Sequence, residues 1–326
     1  MQDLLAAGTD SDPGAEERLL NFEIFVQPGF SHLELSSVLA VLQAVNDVRK
    51  KDQFSWQITS DRPGMLASNG DMLVRAEPAI GDQYLRHAMF IIGGQNCRSA
   101  GWLPRLRAMQ RAKRPVMLFS DAATEYIKSV SPARGPVTTH WRDIDILSET
   151  GDYPTMSKRL AENNDGVFTS AGQGYAMEAV ISFLGGVLGP QDSAGIASML
   201  ILEDIRGFQR DQPKGISDNP NFFEKRLQKA IAMMEETIEN PLKVSDLADQ
   251  VGVSTRQLER LFMVYLNTSP ARFYKQIRLK RANTLISDTR MPLIDVAIVC
   301  GFSNTSSLSQ AYRQEYGKTP NQARKA

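Results

Sequence analysis

Two stretches about 50 residues apart follow one pattern, and that repetition constrains this chain's fold more than any other feature. In Val244–Phe262, Leu247, Ala248 and Val251 make the apolar face of a short helix, Gly252 can adopt the positive φ of a tight turn, and Ser254 is a good N-cap for the helix that follows. Leu258, Leu261 and Phe262 then point inward. In Leu293–Arg313, Val296, Ala297 and Cys300 take the inner places, Gly301 the turn, and Leu308, Ala311 and Tyr312 the core of the second helix. Each copy has the order that a helix-turn-helix needs, with a small residue where the helices cross, a glycine turn and a polar outer face on the second helix. Any αα-hairpin can imitate one copy. Two copies joined by a segment with its own helical period, Ala271–Ile286, are far more specific.

The outer faces carry Ser254, Thr255, Arg256, Gln257 and Arg260 in the first copy and Asn304, Thr305, Ser306, Ser307, Gln310 and Arg313 in the second. Arginine reads guanine edges in the major groove, while small hydroxyl side chains mostly meet phosphates, so these residues are the expected DNA contacts. Lys275, Arg278, Lys280 and Arg281 on the connecting segment fit either a solvated face or phosphate contact. The charge agrees. The chain is neutral overall, but Phe222–Ala326 holds 16 basic and 10 acidic residues, leaving the preceding part acidic.

The residues Asp295-Val-Ala-Ile-Val-Cys-Gly-Phe-Ser303, Tyr316-Gly-Lys-Thr-Pro320, Asn267-Thr-Ser-Pro270 and Arg278-Leu-Lys-Arg-Ala282 make Leu227–Arg324 resemble the AraC family of bacterial transcription regulators. Two positions depart from it. Gln310 lies where the family usually has a basic residue, which could remove one phosphate contact, and Asn267 replaces a common glycine.

Ahead of this all-α part the pattern is different. Asn21–Val26, Phe54–Thr59, Ala88–Ile92, Pro115–Phe119 and Gly166–Ser170 read as strands, several closed by glycine or proline. Helical periods lie between or after them, near Leu35–Val45, Leu103–Lys113, Met177–Leu184 and Ser193–Phe208. This alternation predicts a flavodoxin-like α/β domain, a mostly parallel sheet with helices on both faces, whose ligands collect at the strand C-terminal ends. Residues 1–20 read as a polar tail, 21–208 as this domain, 209–221 as a linker with two prolines, and 222–326 as the DNA-binding domain.

With Phe30-Ser-His-Leu-Glu-Leu35 after the first strand and Thr138-Thr-His-Trp141 later, Phe22–Phe208 resembles the class I glutamine-amidotransferase-like fold of PfpI-type proteins, in the branch fused to AraC-type domains. Active members of that fold place a cysteine nucleophile at a sharp strand-to-helix turn. Here the turn reads Phe119-Ser-Asp-Ala122, with Phe119 taken at the nucleophile position. A phenyl ring cannot attack a carbonyl. Ser120 has no evident base beside it in sequence, and Cys97 falls in another loop. The expectation is therefore a domain without catalysis, although hydrolysis through Ser120 or Cys97 and a partner-binding adaptor without small ligand stay open as alternatives.

The expected pocket takes the loops at Phe30, Gly93–Gly94 and Phe119–Asp121, with His140 and Trp141 as walls and Glu34 and Asp121 as acids. Carboxylates beside aromatic rings suit a cation. The resemblance likewise implies an effector among amino acids or quaternary amines such as betaines and carnitine. Cys97 and Cys300 form no metal motif and the three histidines no ligand spacing, so neither metal nor cofactor is expected. Promoter DNA, a small-molecule effector, a second copy as homodimer and RNA polymerase are the expected partners. The chain has no signal-peptide pattern and no run long enough to cross a bilayer, so the expected place is the cytoplasm.

Overall fold

The computed structural model describes residues 19–79, 84–94, 100–129, 135–150, 156–213, 215–218 and 223–324. The chain divides into two compact units, Met1–Gln212 and Pro213–Ala326.

The first unit is built on an eight-stranded sheet in the order β3-β4-β2-β1-β5-β6-β8-β7. β1 (Leu20–Val26), β2 (Phe54–Ser60), β4 (Leu73–Pro78), β5 (Ala88–Ile92), β6 (Val116–Phe119) and β8 (Val167–Ser170) run parallel, and the edge strands β3 (Gly64–Ala67) and β7 (Ala161–Asn164) are antiparallel. Side chains alternate between two cores, as the period of a strand requires. Phe22, Ile24, Phe90, Met117 and Phe119 pack under α1 (His32–Arg49), α5 (Ala176–Leu184) and α6 (Pro190–Met199). Phe25, Met89, Ile91, Val116 and Leu118 pack with residues of α2 (Leu103–Arg111), α3 (Ser120–Ser129) and α4 (Trp141–Thr150). The central strands are apolar on both faces for this reason. Glu23 is the exception, and its buried carboxylate is held by Arg105 at 2.8 Å and by the Thr59 hydroxyl at 2.9 Å.

Two expectations from sequence are revised. The helix read over Ser193–Phe208 is α6, which ends at Met199; Ile201 adopts φ 56°, which a continuing helix does not allow. Leu202, Ile205 and Phe208 then pack against the first core from irregular chain. Part of the polar stretch read as linker belongs to this unit. Leu160 N–H donates to Arg210 O at 2.8 Å, Gln212 N–H donates to Lys158 O at 2.9 Å, and Arg159 bridges Asp211 antiparallel.

The second unit is helical, with α7 (Lys225–Glu236), α8 (Val244–Val251), α9 (Thr255–Leu266), α10 (Pro270–Asp288), α11 (Leu293–Val299), α12 (Thr305–Tyr316) and α13 (Pro320–Arg324). It has two cores that share one helix. Phe273 and Tyr274, early in α10, pack with Leu247, Ala248, Leu258 and Phe262. Leu279, Ala282, Leu285 and Ile286, later in α10, pack with Val296, Ala297, Cys300, Leu308 and Tyr312. Among the described residues no helix is long and apolar enough to cross a membrane.

Candidate functional site

The two helix-turn-helix units are built by the same local bonds. After α8, Gly252 adopts φ 78° and Val253 N–H donates to Ala248 O at 3.0 Å; after α11, Gly301 adopts φ 69° and Phe302 N–H donates to Ala297 O at 2.8 Å. Each following helix starts with a reciprocal cap. Ser254 Oγ accepts from Gln257 N–H at 3.2 Å while Gln257 Oε1 accepts from Ser254 N–H at 2.9 Å. Asn304 Oδ1 accepts from Ser307 N–H at 2.8 Å, and Ser307 Oγ accepts from Asn304 N–H at 3.3 Å.

The structure thus places all eleven residues expected at DNA on the outer faces of α9 and α12 or at their N-caps. Thr305 and Ser307 are half-buried and the other nine are exposed. Ser254, Gln257, Asn304 and Ser307 fasten the helix starts. Thr255, Arg256 and Arg260, with Ser306, Gln310 and Arg313, extend outward from helices that others hold.

Arg278 has a different place from the one its charge suggests. Its Nε donates to Cys300 O at 2.9 Å, another guanidinium N–H bonds Gly301 O, and the group lies 4.4 Å over the Phe302 ring. Burial holds this guanidinium below its ordinary pKa. It closes the second turn, and spacing alone gives no signal of this.

In the first unit Phe30, after β1, forms bridges with Ser68 and Gly94, and Gly93, after β5, lies against the Asp121–Ala122 backbone. The strand-to-helix turn lies one residue later than the sequence suggests. Phe119 ends β6 in register with Ile92 and Ser170, fully buried, with its ring 6.3 Å from Phe90. Ser120 has the strained backbone, φ 24°, that a sharp elbow imposes. Phe119 is therefore a core residue, and the nucleophile position falls on Ser120.

The Ser120 hydroxyl donates to Glu34 Oε1 at 2.6 Å, and Gln173 N–H donates to the same oxygen at 2.9 Å. Glu34 Oε2 is buried without a hydrogen-bond partner. Burial raises the Glu34 pKa to about 7 against the pull of those two donors. Asp121 is also raised, first by burial and then by Asp143. His140 is half-buried and lowered by burial; its ring lies 5.3 Å from Trp141 and its Nδ1 accepts Arg142 N–H at 3.3 Å. The neighbour Thr139 reaches the elbow instead, its hydroxyl donating to Ser120 O at 2.9 Å. Sequence reasoning missed Thr139, Gln173 and the Glu34–Ser120 pair, because residues 86 positions apart show no spacing. Cys97, the other candidate nucleophile, lies outside the described residues, and among the described residues no group of three or more His, Cys, Asp or Glu side chains could hold a metal ion.

A family model described as a helix-turn-helix domain matches residues 247–326. The HTH-type transcriptional regulator GbdR of Pseudomonas aeruginosa is 29% identical over 90% of this chain and 81% of its own length. The regulator CdhR of the same species is 27% identical over 93% and 91%. A solved transcriptional regulator of the AraC-type DNA-binding group from Chromobacterium violaceum is 42% identical over 31% of this chain and 89% of that one, with a TM-score of 0.30. Two matched helix-turn-helix units thus make residues 247–326 an AraC-type helix-turn-helix domain, and the chain is similar over nine-tenths of its length to HTH-type transcriptional regulators.

Proposed function

We propose that this regulator binds a long, asymmetric promoter site through residues 222–326 and senses a small metabolite through the first unit, which ends at Gln212. The observation that carries the DNA reading is the pair of α9 and α12, each started by a reciprocal cap, presenting Arg256, Arg260 and Arg313 outward from one basic unit. Thr255, Thr305, Ser306 and Gln310 complete the reading faces. Such helices enter successive major grooves about 34 Å apart on one face of the duplex. A footprint of the full chain should show two protected groove segments per monomer. Protection of a single segment would overturn the reading.

Sensing is supported by the unpartnered Glu34 Oε2 beside the Ser120 elbow, with Asp121 close enough to act on its charge. A buried carboxylate with a free oxygen suits an ammonium or quaternary amine, either an amino acid or a betaine. Titration calorimetry of the full chain with amino acids, glycine betaine and carnitine should find one that binds below the millimolar range, and uniform silence would sink this class of effector.

The domain is not an enzyme in this reading. One observation favours the rival, because Ser120 sits at an elbow with a carboxyl at 2.6 Å. Against it, among the described residues no histidine hydrogen-bonds Ser120: His140 Nδ1 accepts Arg142 N–H instead, and the Ser120 hydroxyl is given to Glu34. Stoichiometric labelling of Ser120 by a fluorophosphonate would reverse the conclusion. The regulator works in the cytoplasm as a homodimer, with RNA polymerase as the further partner when it activates.

A further inference from the structure

The elbow is connected by consecutive hydrogen bonds to the end of its own unit. Ser120 Oγ holds Glu34, and Ser120 O accepts the Thr139 hydroxyl. Thr139 O in turn accepts the Gln212 carboxamide at 2.7 Å, and that same Nε2 lies 2.9 Å from Arg159 O and 3.0 Å from Thr138 Oγ1. Thr138 and Thr139 are fully buried and Gln212 is 9% exposed, so these contacts have little competition from water. The Thr124 hydroxyl lies 2.7 Å from Thr139 Oγ1 and 3.1 Å from Asp143 Oδ2. Two hydroxyl protons therefore serve three contacts, those to Ser120 O, to Asp143 and between the threonines. Only two can be made at once, so the arrangement can shift without breaking the fold.

Gln212 anchors a strap. Residues 208–212 run along residues 158–161 through the Phe208, Arg210 and Gln212 backbone bonds. The following stretch is fastened to the other unit: Ile216 N–H donates to Glu235 Oε1 at 2.9 Å and Ser217 Oγ to Glu235 Oε2 at 2.5 Å. Between the two fastenings the chain has only Pro213 and Lys214 before Gly215.

We propose that Gln212 is a latch through which the state of the Glu34–Ser120 elbow sets the length of free chain between the sensing and DNA-binding units. Any occupant that takes Glu34 or shifts Ser120 alters the acceptor offered to Thr139, and Thr139 carries the change to the carboxamide. Release of the five strap residues would add about 17 Å of reach at full extension. The proposal rests on the elbow as the effector site, but its test needs no effector.

Hydrogen exchange of the full chain tests it at the Leu160 and Gln212 amides, which close the strap. Ser120→Ala should speed both by about fivefold or more. The same substitution in a Thr139→Val background should add nothing, and Thr139→Ser should restore the response, since it keeps the hydroxyl. Unchanged strap exchange in Ser120→Ala would overturn the latch, as would a rise matched by the central-strand amides of Ile24 and Phe90, which marks general loosening. If the amines fail to bind while the strap responds, the effector class is wrong and the latch stands. If glycine betaine binds and the strap ignores Ser120→Ala, the latch is wrong and the sensing site stands.

Discussion

Asn267 does at the end of α9 what Gly317 does at the end of α12. Their φ angles are 48° and 70°, and their N–H groups donate to Met263 O at 3.1 Å and Arg313 O at 3.0 Å. Asparagine is one of the few side chains that tolerates this left-handed cap, so a departure from the family's glycine keeps the local geometry. Asn267→Gly should leave thermal stability within a few tenths of a kcal/mol or raise it slightly, whereas Asn267→Val should cost about 1–2 kcal/mol in denaturant unfolding.

The two turn glycines should respond unequally to alanine. Gly252 needs only its positive φ, since an added Cβ would meet nothing within 4 Å. At Gly301 the same carbon would lie 2.4 Å from Ile238 O and 2.8 Å from Pro241 Cγ. Gly252→Ala should cost about 1 kcal/mol, and Gly301→Ala several times more, with the second recognition helix displaced. Circular dichroism melts compared with DNA affinity would show equal losses if this account is wrong.

Arg256 and Arg278 should fail in distinguishable ways. Arg256→Ala removes an exposed charge, so DNA binding should weaken and, if the lost contact is to phosphate, the salt slope should become shallower by about one. Arg278→Ala removes the group bridging Cys300 O and Gly301 O. Its melting temperature should fall, with the slope unchanged and the affinity reduced.

Glu34 makes the first unit pH-dependent. Its folded pKa of about 7 exceeds the ordinary 4.5, so the folded state keeps a proton that the unfolded chain has released. Stability from this group is full below about 4.5, falls as pH rises to about 7, and above that has dropped by about 3 kcal/mol. Glu34→Gln, whose carbonyl still accepts from Ser120 and Gln173, should flatten that part of the stability profile. A bound amine should favour the ionised form, so its affinity should rise between pH 6 and 8.

The parts of the fold legible in sequence are those where composition and burial coincide. Ala88–Ile92 is apolar because both faces are covered, and Gly252 and Gly301 mark turns because few other residues fit. The edge strands β3 and β7 and the adjoining β4 carry exposed residues such as Met65, Leu73 and Glu77 and show no clear alternation. The elbow was displaced by one position because Phe119 and Ser120 differ in backbone angle, which residue type does not report. Gln212 read as linker because a buried carboxamide has the same composition as a solvated one. Only the oxygens of Thr139, Thr138 and Arg159, brought together by the fold, distinguish the two.

Helix α10 joins two cores with 19 residues and no break. At 1.5 Å per residue it is a strut of about 28 Å. On the proposed DNA reading, the separation of the two contact blocks is therefore set by the protein and cannot stretch to suit the promoter. Inserting about five base pairs between the blocks would turn the second to the far side of the duplex, half a helical turn away. A mutated promoter of that kind should be bound through one block alone, while an insertion of a whole turn would put the second block on the correct face but beyond the strut's reach.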